Sequence, residues 1–141
     1  MSQAKYIKIG ADGAQLSADA ADWVAVFLPA HGLTFTATSV VDSDVPHADC
    51  EAACKALNLA GHSDWDLPTI EELQLLADRT RYSPAIDTEF FRDIQNDWYW
   101  SKTAAAWSSA SAWGVGFGLG VVDYYGRLSL GFALAVRRAG Q

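Results

Sequence analysis

Ten consecutive residues near the C-terminus alternate without a break: Leu128, Leu130, Phe132, Leu134 and Val136 interleave with Ser129, Gly131, Ala133, Ala135 and Arg137. Side chains of an extended chain point to opposite faces in turn, so a period of two over this length predicts a strand with one apolar face. It is the clearest strand signal in the sequence. The same period runs through much of the chain after Pro84. Trp98 and Trp100 share one face, Trp113, Val115 and Phe117 share another, and Gly118, Leu119 and Gly120 read as a hairpin turn into a further strand at 121–125. The C-terminal half is therefore expected to be antiparallel sheet.

Upstream the spacing changes. Residues 5–16, with Gly10, Asp12 and Gly13 in the middle, read as strand, turn and short second strand; residues 23–28 form an apolar run stopped by Pro29. A third strand is expected over 33–41, where Thr34, Thr36 and Thr38 alternate with Leu33, Phe35 and Ala37, and residues 42–46 then turn the chain. From His47 the period becomes helical: Cys50, Ala53, Cys54 and Leu57 fall on one stripe that ends at 58–61. A second helix is announced by Thr69 and Glu72, spaced as a capping box in which each side chain satisfies a backbone donor of the first turn, with Ile70, Leu73, Leu76 and Ala77 on its buried face. Helices early and a meander late imply an α+β fold. No internal repeat of fixed period interrupts it, so residues 1–141 are read as one domain, with the strands of 1–31 integrated into it.

With 141 residues, half of them hydrophobic, and six Trp, five Tyr and six Phe, the chain buries a core without metal or disulfide staples. Ten Lys and Arg against 17 Asp and Glu give a net charge of -7, which repels polyanions. Nucleic acid and anionic membrane are therefore excluded as partners. No secretory signal is visible in the first residues, and the apolar run at 113–122 is too short and too glycine-rich to cross a bilayer, so a cytoplasmic protein is expected. Cys50 and Cys54, four apart on a helix, are read as reduced thiols.

Most candidate chemistry reduces to structure. Ser63 lies in a Gly-His-Ser-Asp-Trp run that lacks the second glycine a nucleophile elbow requires where Trp65 stands, so the segment is read as a turn in which Ser63 or Asp64 bonds local backbone. His47, Cys50 and Cys54, with His62 as a fourth ligand, have donor types that hold zinc, but their spacing is not that of a knuckle, and two small core thiols are the better reading. Asp42 and Asp44 lack the glycine and glutamate of a calcium loop. Gly114, Gly116, Gly118 and Gly120 do not match a phosphate-cradling loop, and instead let another segment lie close to the sheet. No cofactor is expected.

An ordered series of motifs resembles a known family. Gly61, Asp64, Trp65, Leu67, Pro68, Thr69, Glu72 and Leu73 fit G-x-x-D-W-R-L-P-T-x-x-E-L; Trp98-Tyr99-Trp100-Ser101 fits W-Y-W-S; Trp113, Val115 and Phe117 fit W-x-V-x-F; Val136-Arg137 closes the series, and Gly32-Leu33 with Phe35 resembles an upstream G-L-x-W. These are the motifs of the bacterial and phage domain family that includes the C-terminal domain of the Legionella collagen-like protein, and the resemblance spans about residues 5–138. Asp66 stands where the family usually has Arg, Phe35 where it has Trp, and Ala135 where Cys is frequent. The resemblance implies a C-type-lectin-like fold, two helices with antiparallel sheets, and binding rather than catalysis. It also implies a phage, prophage or bacterial source, which brings in virion association as an alternative location.

Within that frame the aromatic supply is the functional hint. Sugar rings and apolar ligand faces stack on indole and phenol surfaces, with polar neighbours fixing orientation. Trp65, Trp98, Trp100 and Trp113 are expected in the core, whereas Tyr99, Trp107, Asp123, Tyr124, Tyr125 and Arg127 are the candidate ligand-binding residues. The expected function is non-enzymatic recognition of a glycan or cell surface. The alternative is a protein interface, in a host-factor inhibitor, a minor virion component or a homo-oligomer.

Overall fold

The computed structural model describes residues 4–138. These form two antiparallel sheets and two short helices, the α+β arrangement expected. The first sheet has the order β1 (Ile7–Ile9), β2 (Ala25–Leu28), β3 (Leu33–Thr36), β7 (Val136–Arg138). The second is a meander of β4 (Trp98–Ala105), β5 (Ser108–Gly116) and β6 (Val121–Gly126). Between β3 and β4 lie α1 (His47–Lys55) and α2 (Ile70–Gln74). No described helix is long and apolar enough to cross a membrane.

Strand β4 organises the core because both its faces are covered. Tyr99 points into one apolar cluster with Phe35, Leu73, Phe91, Phe117 and Leu134, while Trp98 and Trp100 point into another with Cys50, Cys54, Trp65 and Leu67. Gly114 and Gly131 make room for the indoles. A Cβ on Gly114 would lie 2.6 Å from Trp98 Cζ2 and 2.4 Å from the Tyr99 carbonyl oxygen, and one on Gly131 would lie 2.7 Å from Trp98 Cδ1. Of the four glycines expected to admit close approach to this sheet, Gly114 does so, whereas a Cβ on Gly116 or Gly118 would have no atom nearer than 3.9 or 4.0 Å; Gly131 is not among the four.

The long alternation at 128–137 is extended, but it is not one strand. Leu128 and Leu130 are 89% and 52% exposed, whereas residues 133–136 are all buried whatever their parity. The segment changes partners as it crosses the molecule: Gly131 exchanges hydrogen bonds with Val45, Phe132 with Trp98 and Trp100, Ala133 accepts from Val40, Ala135 accepts from Thr36, and only Val136 onwards joins the first sheet. Periodicity reports backbone extension, not which surface each side meets. The third expected strand is also shorter, ending at Thr36, whose hydroxyl bonds the Thr38 carbonyl and accepts from the Ala135 amide. The second strand of the opening hairpin reduces to a single bridge, Ile9 to Gln15.

Both helices start where expected, and the capping box is present: Thr69 Oγ1 accepts from the Glu72 amide at 3.2 Å, and Glu72 Oε1 from the Thr69 amide at 2.9 Å. Glu72 and Asp66 also anchor the last strand. Arg138 donates twice to Glu72, at 2.7 Å each, and once to Asp66 at 3.0 Å; Lys102 and Lys55 complete the ring around Asp66 at 2.7 and 3.4 Å. Burial alone would raise the Asp66 carboxyl, but the hydrogen bonds from Lys102 and Arg138 and the neighbouring charges outweigh it and hold it at about 2. Asp64, one of the two residues expected to bond local backbone, does so and also forms a two-pronged pair with Arg137.

Candidate functional site

The exposed aromatic surface lies on the second sheet. β5 and β6 pair with Trp113 opposite Tyr124 and Ala112 opposite Tyr125, so the two tyrosines of β6 leave the sheet on opposite faces. On the first face, Trp107, from the tight turn between β4 and β5, folds back over the sheet. Its ring centroid lies 4.8 Å from Tyr124 and 5.7 Å from Trp113, and Trp113 lies 5.5 Å from Tyr124, all steeply inclined as edge-to-face contacts prefer. Trp107 remains 60% exposed and Tyr124 43%. Ser108, Ser109 and Ser111 of β5 supply hydroxyls nearby in the chain.

On the second face Tyr125 stands perpendicular to Trp98, 4.6 Å between centroids. The two rings border an open cleft of about 410 Å³ that Asp97, Gly116, Ser129 and Leu130 complete. The sequence reading did not anticipate this cleft: Trp98 is core as expected, at 7% exposed, but Leu130, placed on the apolar face of the long alternation, is 52% exposed. The signal available was Gly131, which the indoles of Trp98 and Trp100 crowd, so that the chain just before it emerges at the surface.

The six candidate residues therefore divide. Trp107 and Tyr124 come together, and Tyr125 is exposed on the other face. Asp123 uses Oδ1 to accept from the Tyr124 amide at 2.8 Å, which places its carboxylate on the free edge of β6. Arg127 is a structural tie: Nε donates to the Ser109 carbonyl at 2.8 Å, Nη1 lies 3.1 Å from His47 Nδ1, and its backbone pairs with Ala110 and His47. Tyr99 is corrected. It does point away from Trp98 and Trp100, but that side is also core, so the residue is fully buried between Phe117 and Phe132 with its hydroxyl accepting from the Gln95 amide at 2.9 Å. Burial pushes its phenol up to about 12. No ligand reaches it from solvent.

The other candidate chemistry is occupied internally. His47 Nε2 donates to the Ser101 carbonyl at 2.8 Å, Cys50 Sγ donates to the Gly131 carbonyl at 3.4 Å, and both cysteines are free and fully buried, with burial pushing their thiols up to about 12. His62 is exposed. Among the described residues no group of three or more His, Cys, Asp or Glu is placed to hold a metal ion.

No curated protein matches the chain. The sequence model of the Lcl C-terminal domain does match, over residues 18–137, a span that includes both helices, the whole aromatic surface and Asp66 with Lys55 and Lys102. The chain therefore belongs to the Lcl C-terminal domain family.

Proposed function

We propose that this domain is a non-enzymatic recognition module on a C-type-lectin-like scaffold, and that its contact surface is the rim formed by Trp107, Tyr124 and the outer side of Trp113. The observation that carries the reading is the geometry of Trp107. A largely exposed indole is held at a fixed angle by two other rings, so little side-chain entropy remains to be lost when a ligand covers it. Covering such a ring contributes about 1.5–3 kcal/mol, and Trp and Tyr in this setting are the usual centres of binding energy. A glycan fits the rim through stacking on the rings and hydrogen bonds to the serine hydroxyls of β5 and to Asp123. The net charge of -7 directs the choice towards uncharged rather than sulfated sugars.

A protein partner is the second reading, favoured by the aliphatic residues that the same sheet and its flanks leave exposed: Leu119 at 67%, Val121 at 50%, Leu128 at 89% and Leu130 at 52%. A glycan array separates the two. Retention of related neutral sugars by the wild type, lost in Trp107→Ala and Tyr124→Ala, supports glycan recognition; a silent array with a stoichiometric protein complex that Leu130→Ser weakens supports the protein interface. Turnover of any retained ligand would overturn both.

A further inference from the structure

The cleft on the opposite face of β6 carries a separate inference, independent of the rim. Its volume of about 410 Å³ lies within the range of small-ligand sites. Two of its walls are aromatic and perpendicular, Trp98 and Tyr125, a third is the side chain of Leu130, and Gly116 leaves one side open because it has no side chain. Asp97 is the charged residue of the lining. Its Oδ1 accepts from the Trp98 amide at 2.7 Å, which holds the carboxylate beside the rings, and among the described residues it has no ion-pair partner.

Comparison with the other side of the molecule shows what is missing. Trp23 has two of the chain's own cations over its ring, Lys8 Nζ at 3.8 Å and Arg92 Cζ at 4.4 Å from the centroid. Among the described residues, no cation of the chain sits over Trp98 or Tyr125. A ring quadrupole and a carboxylate attract the same sign of charge, while Leu130 and the Tyr125 ring, 52% and 48% exposed, accept apolar surface and Trp98, 7% exposed, adds a narrow strip. An anion is repelled by Asp97, and a neutral ligand gains only the apolar contact.

We propose that this cleft binds an organic cation with an apolar body, a primary or quaternary ammonium placed against Trp98 and Tyr125 with Asp97 as its counter-charge. The chemistry is shared by a lysine side chain on a partner and by a free quaternary amine, so the test uses both.

The full chain is titrated at constant ionic strength with benzyltrimethylammonium and with capped lysine, following the ring resonances of Trp98 and Tyr125, with benzyl alcohol as the neutral comparator. Saturable shifts are expected for the cations. Asp97→Asn, which keeps the acceptor for the Trp98 amide, is expected to weaken binding about fivefold, the loss of roughly 1 kcal/mol. Tyr125→Leu is expected to weaken it as well, and Trp107→Ala to leave it unchanged, so failure here is distinguishable from failure of the rim. Tighter retention of capped lysine assigns the site to a partner's side chain; tighter retention of the quaternary amine assigns it to a free ligand. Benzyl alcohol binding as tightly as the cations, an unaltered affinity in Asp97→Asn, or no saturable shift at Trp98 and Tyr125 would overturn the proposal.

Discussion

Arg127 and His47 hold the aromatic hairpin to the first helix: Arg127 Nη1 lies 3.1 Å from His47 Nδ1, and the opposite ring nitrogen, Nε2, is spent on the Ser101 carbonyl at 2.8 Å. These partners assign the neutral tautomer with its proton on Nε2, because Nδ1 faces a guanidinium donor. Burial, reinforced by the Arg127 charge, lowers the His47 pKa, against smaller raising effects of the Ser101 carbonyl and Glu51. The unfolded chain then takes up a proton at this residue below about pH 6.5 while the native state does not, so stability falls as the pH drops through that value and continues to fall until the native ring is itself protonated. Denaturant titrations should show a slope of up to about 1.4 kcal/mol per pH unit in this window. His47→Gln, which retains a donor for Ser101, should flatten it.

Asp66 gathers Lys55, Lys102 and Arg138 from α1, β4 and β7. Asp66→Asn leaves three cations facing one another; because Lys55 and Lys102 are exposed to solvent and Arg138 keeps Glu72, it should cost about 1–2 kcal/mol, less than for a fully buried pair. Asp66→Arg, which restores the residue usual in the family resemblance, should be worse here because it adds a fourth cation. Thermal unfolding of both variants, with the Arg form the less stable, checks this ordering.

Two glycines of β5 should respond very unequally to the same change. Gly114→Ala drives a methyl into the Tyr99 carbonyl and the Trp98 ring and should cost about 3 kcal/mol or more. For Gly116→Ala the nearest atom outside its neighbours is the Val121 carbonyl oxygen at 3.9 Å, so stability should stay within about 1 kcal/mol of wild type. Urea unfolding of the pair measures the contrast.

Much of this architecture was legible because its determinants are local. The Thr69 and Glu72 capping box, the Cys50 and Cys54 stripe and the turn before Val121 depend on residues a few positions apart. What was hidden depends on distant partners. Alternation sends Tyr99 to the face opposite Trp98 but cannot show that this face is also covered, and Tyr99 is sealed by Phe132 while Trp98 borders a cleft. Leu128 and Leu134 occupy the same phase of one alternation, but the first lies in the surface turn after β6 and the second in the core. Arg127 reads as a free surface cation until His47, eighty positions away, is brought against it.

The cysteines supply a further check. Both are fully exposed to the core and closed to solvent, with thiols raised by burial, so neither should react with a disulfide reagent in the folded protein at neutral pH. Both should react once denaturant unfolds the chain. Rapid native labelling of either would contradict the packing of α1 against Trp98 and Trp100.

The most direct measurement compares wild type and Trp107→Ala for affinity towards whichever array ligand the wild type retains, with unfolding followed in the same preparations. Affinity should fall at least about tenfold while stability changes by less than about 1 kcal/mol, because Trp107 is held on the surface rather than in the core. A variant that binds as well as wild type would contradict the assignment of the rim as the contact surface.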